Sequence, residues 1–307
     1  MLNAEQGLFC SKPCVRLISV TLGQSKRAPE VLDVKDQRAY QRSFGAAQVI
    51  LAADRGKARL SRLHQSGSAK AFLPNRGSDE IVFLNTSGGL TGGDYLRFAL
   101  SLGTGLSFTA TTQTAERAYD GNGSAARVKI DLTIGANAHL DWLPQETLLY
   151  QNSGLCRDVH VQLEAGASVL LCEPVVLGRH AMGERPDRLN LQDRRHVTCQ
   201  GRIVWAESLF VDPAALARQN QLAILGEARC FATIALIGPG AASRASALQP
   251  LLEFAGCETA LSAWDGRLIL RLRARENWPF RQHISRILTH LRGRPMPRVW
   301  QLNGDIA

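Results

Sequence analysis

Three acids fall on the apolar faces of strand-like segments, and these are the residues with the clearest chemical potential. Glu173 and Glu207 each occupy the same alternating positions as the apolar residues of their segments. Asp141 shares a face with His139 and Leu143. A carboxylate that points into an apolar layer is costly unless it is hydrogen-bonded, paired or bound to a cation. The pattern predicts a line of interior carboxylates suited to transient binding of a divalent ion. Pairing of each acid with an arginine, or an alternation misread by one residue, would explain it equally well.

A fourth acid, Asp94, ends a glycine-rich stretch over residues 85–94, in which four of six consecutive positions, 88–93, are glycine. A phosphate-binding loop needs a helix after its glycines. Here an alternating apolar segment follows, which predicts a strand. The stretch therefore indicates a tight turn with a close backbone approach.

The sequence contains few of the motifs that mark common catalytic sites. The seven histidines show no metal-ligand spacing of the H-E-x-x-H type, although His139 beside Asp141 is a weaker candidate ligand. No G-x-S-x-G nucleophile motif occurs. Two carboxylates could instead flank a glycosidic bond, so a carboxylate-based polysaccharide enzyme on a β-solenoid stays open as an alternative.

Composition narrows the class of protein. The 307 residues carry a formal net charge of +9, but only 6% are aromatic and the basic residues are scattered. This distribution argues against nucleic-acid binding.

No apolar run reaches the length of a membrane span, and the N-terminus lacks a cleavable signal pattern. Seven cysteines, including the pair Cys10 and Cys14 at unusual spacing, do not form a disulfide framework. A cytoplasmic protein is expected.

Repeated turns predict the elements that position the acids. Gly103, Gly135 and Gly166 lie 32 and 31 residues apart, each between two strand-like runs, and Gly201 follows after 35. This period favours layered, solenoid-like β-sheets of stacked hairpins, although ordinary hairpin spacing in an all-β protein would look similar. Aligned on these glycines, the three interior acids fall six or seven residues after the turn.

We predict a mainly β fold with three regions. Residues 1–38 form a poorly ordered leader, 39–212 a β-rich region with the glycine-turn repeats, and 213–307 a small α+β region packed on it. In the last region we expect a strand over 229–237, helices over 243–254 and 278–291, and a hairpin turning at Asp265-Gly266.

Five motifs, in order, resemble the urease accessory protein UreD (UreH) family. They are Gly88-Gly-Leu-Thr-Gly-Gly-Asp94, Thr111-Thr-Gln-Thr-Ala-Glu-Arg-Ala-Tyr119, Leu140-Asp-Trp-Leu-Pro-Gln-Glu146, Leu177-Gly-Arg-His-Ala-Met-Gly-Glu184 and Pro297-Arg-Val-Trp300. The likeness extends from about residue 40 to residue 302.

The resemblance implies a non-enzymatic maturation factor that joins UreF and the GTPase UreG and docks on apo-urease subunits. It further implies passage of nickel through an acid-lined interior channel. Carried over by motif, Asp94, Glu173 and Glu207 are the expected positions on that route, for transient Ni²⁺ and no tightly bound cofactor. A plain β-rich protein-interaction module remains a further alternative.

Overall fold

The computed structural model describes residues 42–74 and 79–301. The predicted leader and the pair Cys10 and Cys14 lie outside these residues. The strands are, in chain order, β1 (Phe44–Asp54), β2 (Lys57–Gly67), β3 (Ala69–Phe72), β4 (Glu80–Asn85), β5 (Tyr95–Leu102), β6 (Ser107–Thr112), β7 (Glu116–Ala118), β8 (Ala126–Ile134), β9 (His139–Leu143), β10 (Thr147–Leu149), β11 (Gly154–Leu163), β12 (Ser168–Leu177), β13 (Asn190–Cys199), β14 (Arg202–Val211), β15 (Cys230–Ile237), β16 (Cys257–Trp264) and β17 (Arg267–Ala274). The α-helices are α1 (Pro213–Ala217), α2 (Ala245–Leu248) and α3 (Asn277–Arg292).

These strands form two sheets, and the chain alternates between them. The seven-stranded sheet has the order β14-β13-β11-β8-β5-β1-β2. The ten-stranded sheet has the order β16-β17-β15-β12-β9-β6-β4-β3, with β10 and β7 joined to it beside β12. From β4 to β13 the chain passes repeatedly from one sheet to the other, so each coil adds one strand to each sheet.

Successive coils stack by parallel pairing: β5, β8, β11 and β13 in one sheet, and β4, β6, β9 and β12 in the other. The predicted mainly β, solenoid-like stacked arrangement is confirmed. The stacking unit is a two-strand coil, where the sequence had suggested a hairpin. At Gly201 the chain does turn back as an antiparallel hairpin, since β13 pairs with β14 in the same sheet.

Two apolar layers hold the elements together. The larger lies between the sheets and contains buried side chains of both, such as Phe98 and Val161 from one and Phe83 and Val169 from the other. The smaller lies between the opposite face of the ten-stranded sheet and α3, which contributes Phe280 and Ile284 to it. The molecule therefore has three layers in the order sheet, sheet, helix.

The C-terminal elements follow the sequence closely, with two exceptions. β15, the Asp265-Gly266 hairpin between β16 and β17, and α3 all lie where they were predicted. The helix predicted over 243–254 is reduced to the four residues of α2, with 3₁₀ turns before and after it. Pro250 lies in this segment and cannot donate a backbone hydrogen bond, which explains why the helix does not continue. The short helix α1, capped by Asp212, was not predicted.

Candidate functional site

Six charged side chains form one continuous network between the two sheets. They are Arg157 on β11, Glu173 on β12, Asp193 and Arg195 on β13, Glu207 on β14 and Arg271 on β17. We call this set the inter-sheet network. It crosses between the sheets twice, at Arg157–Glu173 and at Arg271–Glu207.

Glu173 is the innermost acid, and only 1% of it is exposed. Its Oε1 accepts a hydrogen bond of 2.8 Å from Trp142 Nε1. Its Oε2 lies 2.7 Å from Arg157 Nη1, an ion-pair contact. Within the described part of the chain, however, this oxygen accepts no hydrogen bond of acceptable geometry. Burial raises the pKa of Glu173 above its usual value, and the nearby Arg157 and Arg195 only partly offset this effect.

Asp193 is the centre of the network. Arg157 donates to both of its carboxylate oxygens, at 3.1 Å from Nε and 2.6 Å from Nη2. Arg195 Nη2 contacts Asp193 Oδ2 as well. Burial alone would raise the pKa of Asp193, but the two guanidinium groups outweigh it and hold the pKa well below the usual range. The two guanidinium groups therefore favour the charged carboxylate of Asp193.

Glu207 carries the network to the surface. Its Oε2 lies 2.8 Å from Arg195 Nη1, and its Oε1 lies 2.8 Å from Arg271 Nη2. The side chain of Glu207 is 13% exposed and that of Arg271 is 45% exposed. The network thus begins in the dry interior at Glu173 and ends in solvent beside β14.

Sequence reasoning had singled out Glu173 and Glu207 but missed Asp193 and all three arginines. The alternation Leu191-x-Asp193-x-Arg195-x-Val197 was available as a signal, because both charged residues share the apolar face of β13. The register of the strands explains these ion pairs, because it places Arg157 opposite Asp193 and Arg195 opposite Glu207. Three acids facing three arginines leave no preformed metal site. No group of three or more His, Cys, Asp or Glu placed to hold a metal ion exists in residues 42–74 and 79–301.

Asp141 and His139 lie elsewhere, on the face of the ten-stranded sheet that packs toward α3. Asp141 Oδ1 pairs with His139 Nε2 at 2.9 Å. Its Oδ2 lies 2.9 Å from both Arg292 Nε and Arg294 Nη2. Burial opposes ionisation, but His139 and Arg292 outweigh it and hold the pKa of Asp141 well below its usual range. We call this set the helix clamp.

The alignment of the three acids on the turn glycines was therefore wrong. The register places His139 beside Ser168, so the position on β12 equivalent to Asp141 is Leu170 and not Glu173. Leu170 and Glu173 are three residues apart, which is an odd number, so their side chains point to opposite faces of the sheet. Asp141, which lies beside Leu170, is therefore on the opposite face from Glu173. The cause lies in the turns: the left-handed position is occupied by Gly105, Asn137 and Gly166, so Gly135 is not the equivalent of Gly166.

Asp94 also lies outside the inter-sheet network. Its two carboxylate oxygens accept backbone hydrogen bonds from Ser43 at 2.7 Å and Thr91 at 2.8 Å. It thereby fastens the end of the glycine-rich stretch, which runs from β4 to β5 as predicted. Gly92 shows the expected close approach, since a Cβ there would lie 2.3 Å from the carbonyl oxygen of Gly121.

Beside this stretch a recess contains a further acid, Glu116, that sequence reasoning did not select. The recess is lined by Asn85, Gly88, Gly89, Phe98 and Glu116, among others. Asn85 Nδ2 donates to Glu116 Oε2 at 3.3 Å. Burial raises the pKa of Glu116 to about 7, against opposing contributions from Asn85 and Arg117.

Aromatic rings connect this recess to the inter-sheet network. Phe98 in the recess wall lies 4.9 Å from Phe83, ring centroid to centroid, and Phe83 lies 5.9 Å from Trp142. Trp142 in turn donates to Glu173. A series of contacts therefore leads from the recess wall at Phe98 through Phe83 and Trp142 to Glu173.

Comparison with known proteins identifies the family. A family model described as UreD urease accessory protein matches residues 44–301. The chain is 50% identical over 263 residues to the urease accessory protein UreD of Cereibacter sphaeroides (strain ATCC 17025), covering 85% of this chain and 96% of that protein. It is 47% identical over 264 residues to the protein of that name from Paracoccus denitrificans, covering 85% and 93%. It is 38% identical over 271 residues to the one from Rhizobium leguminosarum bv. trifolii, covering 87% and 97%.

The motifs that carry the resemblance contain several residues of the geometry described above: Asp94 and Gly92 of the glycine-rich stretch, Glu116 of the recess, and Trp142 beside Glu173. The matched segment includes every member of the inter-sheet network and of the helix clamp. The chain belongs to the UreD family of urease accessory proteins.

Proposed function

We propose that this chain is a scaffold and nickel conduit that acts with UreF and UreG on apo-urease, and that nickel moves through its interior between the two sheets. The observation that carries the proposal is the inter-sheet network, a continuous series of charged groups through an otherwise apolar layer. A maturation role agrees with the name that the related proteins share.

We assign one end of this proposed route to the recess with Glu116 and the other to the exposed pair of Glu207 and Arg271. Carboxylate oxygens are hard ligands that bind a borderline ion such as Ni²⁺ weakly. Weak binding suits an ion that must be released. Nickel is cargo on this route and not a resident cofactor.

Use of the proposed route by a cation depends on movement of the arginines. Each acid of the inter-sheet network is already paired, so a cation can contact an acid only if a guanidinium moves away. Glu173 Oε2 and Arg195 Nε, which lack hydrogen-bond partners in the described residues, mark the place where the network is least satisfied. Burying an unpaired polar atom costs about 1–3 kcal/mol, so rearrangement is least costly there.

The same geometry argues for a non-enzymatic role. A polysaccharide-active site needs two carboxylates that flank a bond in an open groove. Glu173 and Asp193 are each only 1% exposed and each contacts an arginine.

No helix in the described ranges is long and apolar enough to cross a membrane. The five cysteines described are unpaired, which fits our proposal of a reducing, cytoplasmic site of action.

The test is nickel delivery by the double variant Glu173→Gln/Glu207→Gln, co-expressed with UreF, UreG and apo-urease. Glutamine keeps the size of each side chain and one acceptor oxygen, but it replaces the other oxygen with a donor NH2 group and removes the charge. We expect the variant to co-purify with UreF and with urease, while the nickel content of urease falls about tenfold.

Glu258→Gln is the matched control, because Glu258 is 68% exposed and pairs with an arginine outside the network. Full nickel loading by the double variant would rule out the conduit. Loss of co-purification would instead show that the two acids serve assembly. Failure of the wild-type chain to co-purify with UreF would remove the scaffold part of the proposal.

A further inference from the structure

Two histidines lie side by side on the outer face of the seven-stranded sheet. His160 on β11 and His196 on β13 are directly opposite each other in the parallel ladder. Their ring centroids are 5.6 Å apart and the ring planes make an angle of 77°. His160 is exposed and His196 is partly exposed, so both rings can reach solvent. Neither belongs to the inter-sheet network, which occupies the other face of the same strands.

The neighbours of this pair leave it accessible. Asp131 lies opposite His160 on β8, but it is held by Arg97 at 2.9 Å and by Lys129 at 3.5 Å. On the other side, opposite His196, lies Ala206 of β14, whose methyl group is too small to cover the ring. The two imidazoles are therefore the ligands available on this rung.

The backbones of the two strands hold His160 and His196 close to each other. Adjacent strands of a sheet are about 4.8 Å apart, so imidazoles on in-register neighbours can approach one ion together. Both strands are inner strands of the ladder and are paired on each side, so little ordering of the main chain is needed. Imidazole nitrogen suits Ni²⁺, Zn²⁺ and Cu²⁺ and is unsuited to Mg²⁺ or Ca²⁺.

We propose that His160 and His196 form a surface binding site for a borderline divalent cation, with water in the remaining coordination positions. The site does not depend on the interior route of the proposed function. It binds the ion through nitrogen ligands on the outside of the sheet, whereas the route uses carboxylates between the sheets. Its open positions can accept a ligand from another protein.

Titration calorimetry of the full-length chain with NiCl₂ alone and with ZnCl₂ alone tests the site. We expect the wild-type chain to bind one ion that His160→Ala and His196→Ala each weaken about tenfold or more, since loss of a supporting partner already costs that much in metal sites. Titration with MgCl₂ should give no such signal. Both substitutions are on the surface, and unchanged circular dichroism would confirm folding.

His64→Ala is the matched control, because His64 is an exposed histidine on β2, whose partner in the ladder is Gln48. Equal weakening by His64→Ala and His160→Ala would mean unspecific binding by surface histidines and would overturn the proposal. So would unchanged binding by both pair variants. Glu173→Gln/Glu207→Gln should retain this ion, which separates failure of the surface site from failure of the interior route.

Discussion

The helix clamp and the inter-sheet network are built from the same chemistry but are satisfied to different degrees. In the clamp, both oxygens of Asp141 have partners: His139 on one, and Thr109, Arg292 and Arg294 on the other. In the network, Glu173 Oε2 and Arg195 Nε have no hydrogen-bond partner among the residues described. A buried acid is thus fully enclosed by donors in one place and incompletely enclosed in the other.

The difference shows two uses of a buried ion pair. The helix clamp joins segments about 150 residues apart and fastens the end of α3 to the ten-stranded sheet. A second buried pair, Arg281 with Glu146 at 2.6 Å, fastens its beginning. Within the seven-stranded sheet, the inter-sheet network joins strands that the ladder already holds together, and it crosses to the other sheet at Arg157–Glu173 and Arg271–Glu207. Its unsatisfied oxygen on Glu173 leaves it freer to rearrange than the clamp.

The largest expected effect is that of Asp141→Ala, which leaves Arg292 buried without its partner. Removing one member of a buried pair costs about 3–5 kcal/mol, so the free energy of unfolding should fall by that amount. Urea denaturation followed by circular dichroism measures it. The control is Asp158→Ala, whose acid is 40% exposed beside Arg194 and should cost less than about 1 kcal/mol. Equal losses for both variants would contradict the clamp.

A smaller loss is expected from Glu173→Gln. The amide oxygen can still accept from Trp142, and Arg157 keeps its two bonds to Asp193. We expect a loss of about 1.5–3 kcal/mol, the range for one hydrogen bond to a charged group. The same denaturation experiment on Asp141→Asn should give a larger loss. If the order of the two variants were reversed, the distinction between clamp and network would fail.

The smallest effect concerns Glu116, a recessed acid whose carboxylate oxygens accept hydrogen bonds from an amide side chain and the backbone. Its folded pKa is raised to about 7, above the value of about 4.3 expected in the unfolded chain. The protonated form therefore favours folding: its contribution is fully present below pH ~4.3 and is lost as pH rises through about 7.

Glu116→Gln should accordingly match the wild type at pH 4 and exceed its unfolding free energy at pH 8 by about 1 kcal/mol, after allowance for partial exposure. Urea denaturation at the two pH values tests this expectation. A wild-type chain more stable at pH 8 than the variant would show that an unrecognised positive group compensates the acid.

The sequence predicted the elements better than the contacts among them. The parity of residues along a strand correctly placed Glu173 and Glu207 inward, because alternation is a local property. It could not show that Arg157 would meet Asp193, because that pairing depends on how far each coil returns before the next strand begins. The same limit explains the misplaced alignment of Asp141, since turn glycines at different positions of a turn do not mark equivalent residues. Only the register between coils decides these questions.

The parallel stacking of the coils also sets the reach of the inter-sheet network. Arg157, Asp193 and Glu207 lie on three consecutive strands of the seven-stranded sheet, so the network advances across the strands and along the direction of stacking. Each further coil would extend it by one strand spacing, about 4.8 Å, and leave both ends unchanged. Duplication or loss of a coil during evolution could therefore lengthen or shorten the polar line in whole steps, with no new chemistry at its ends.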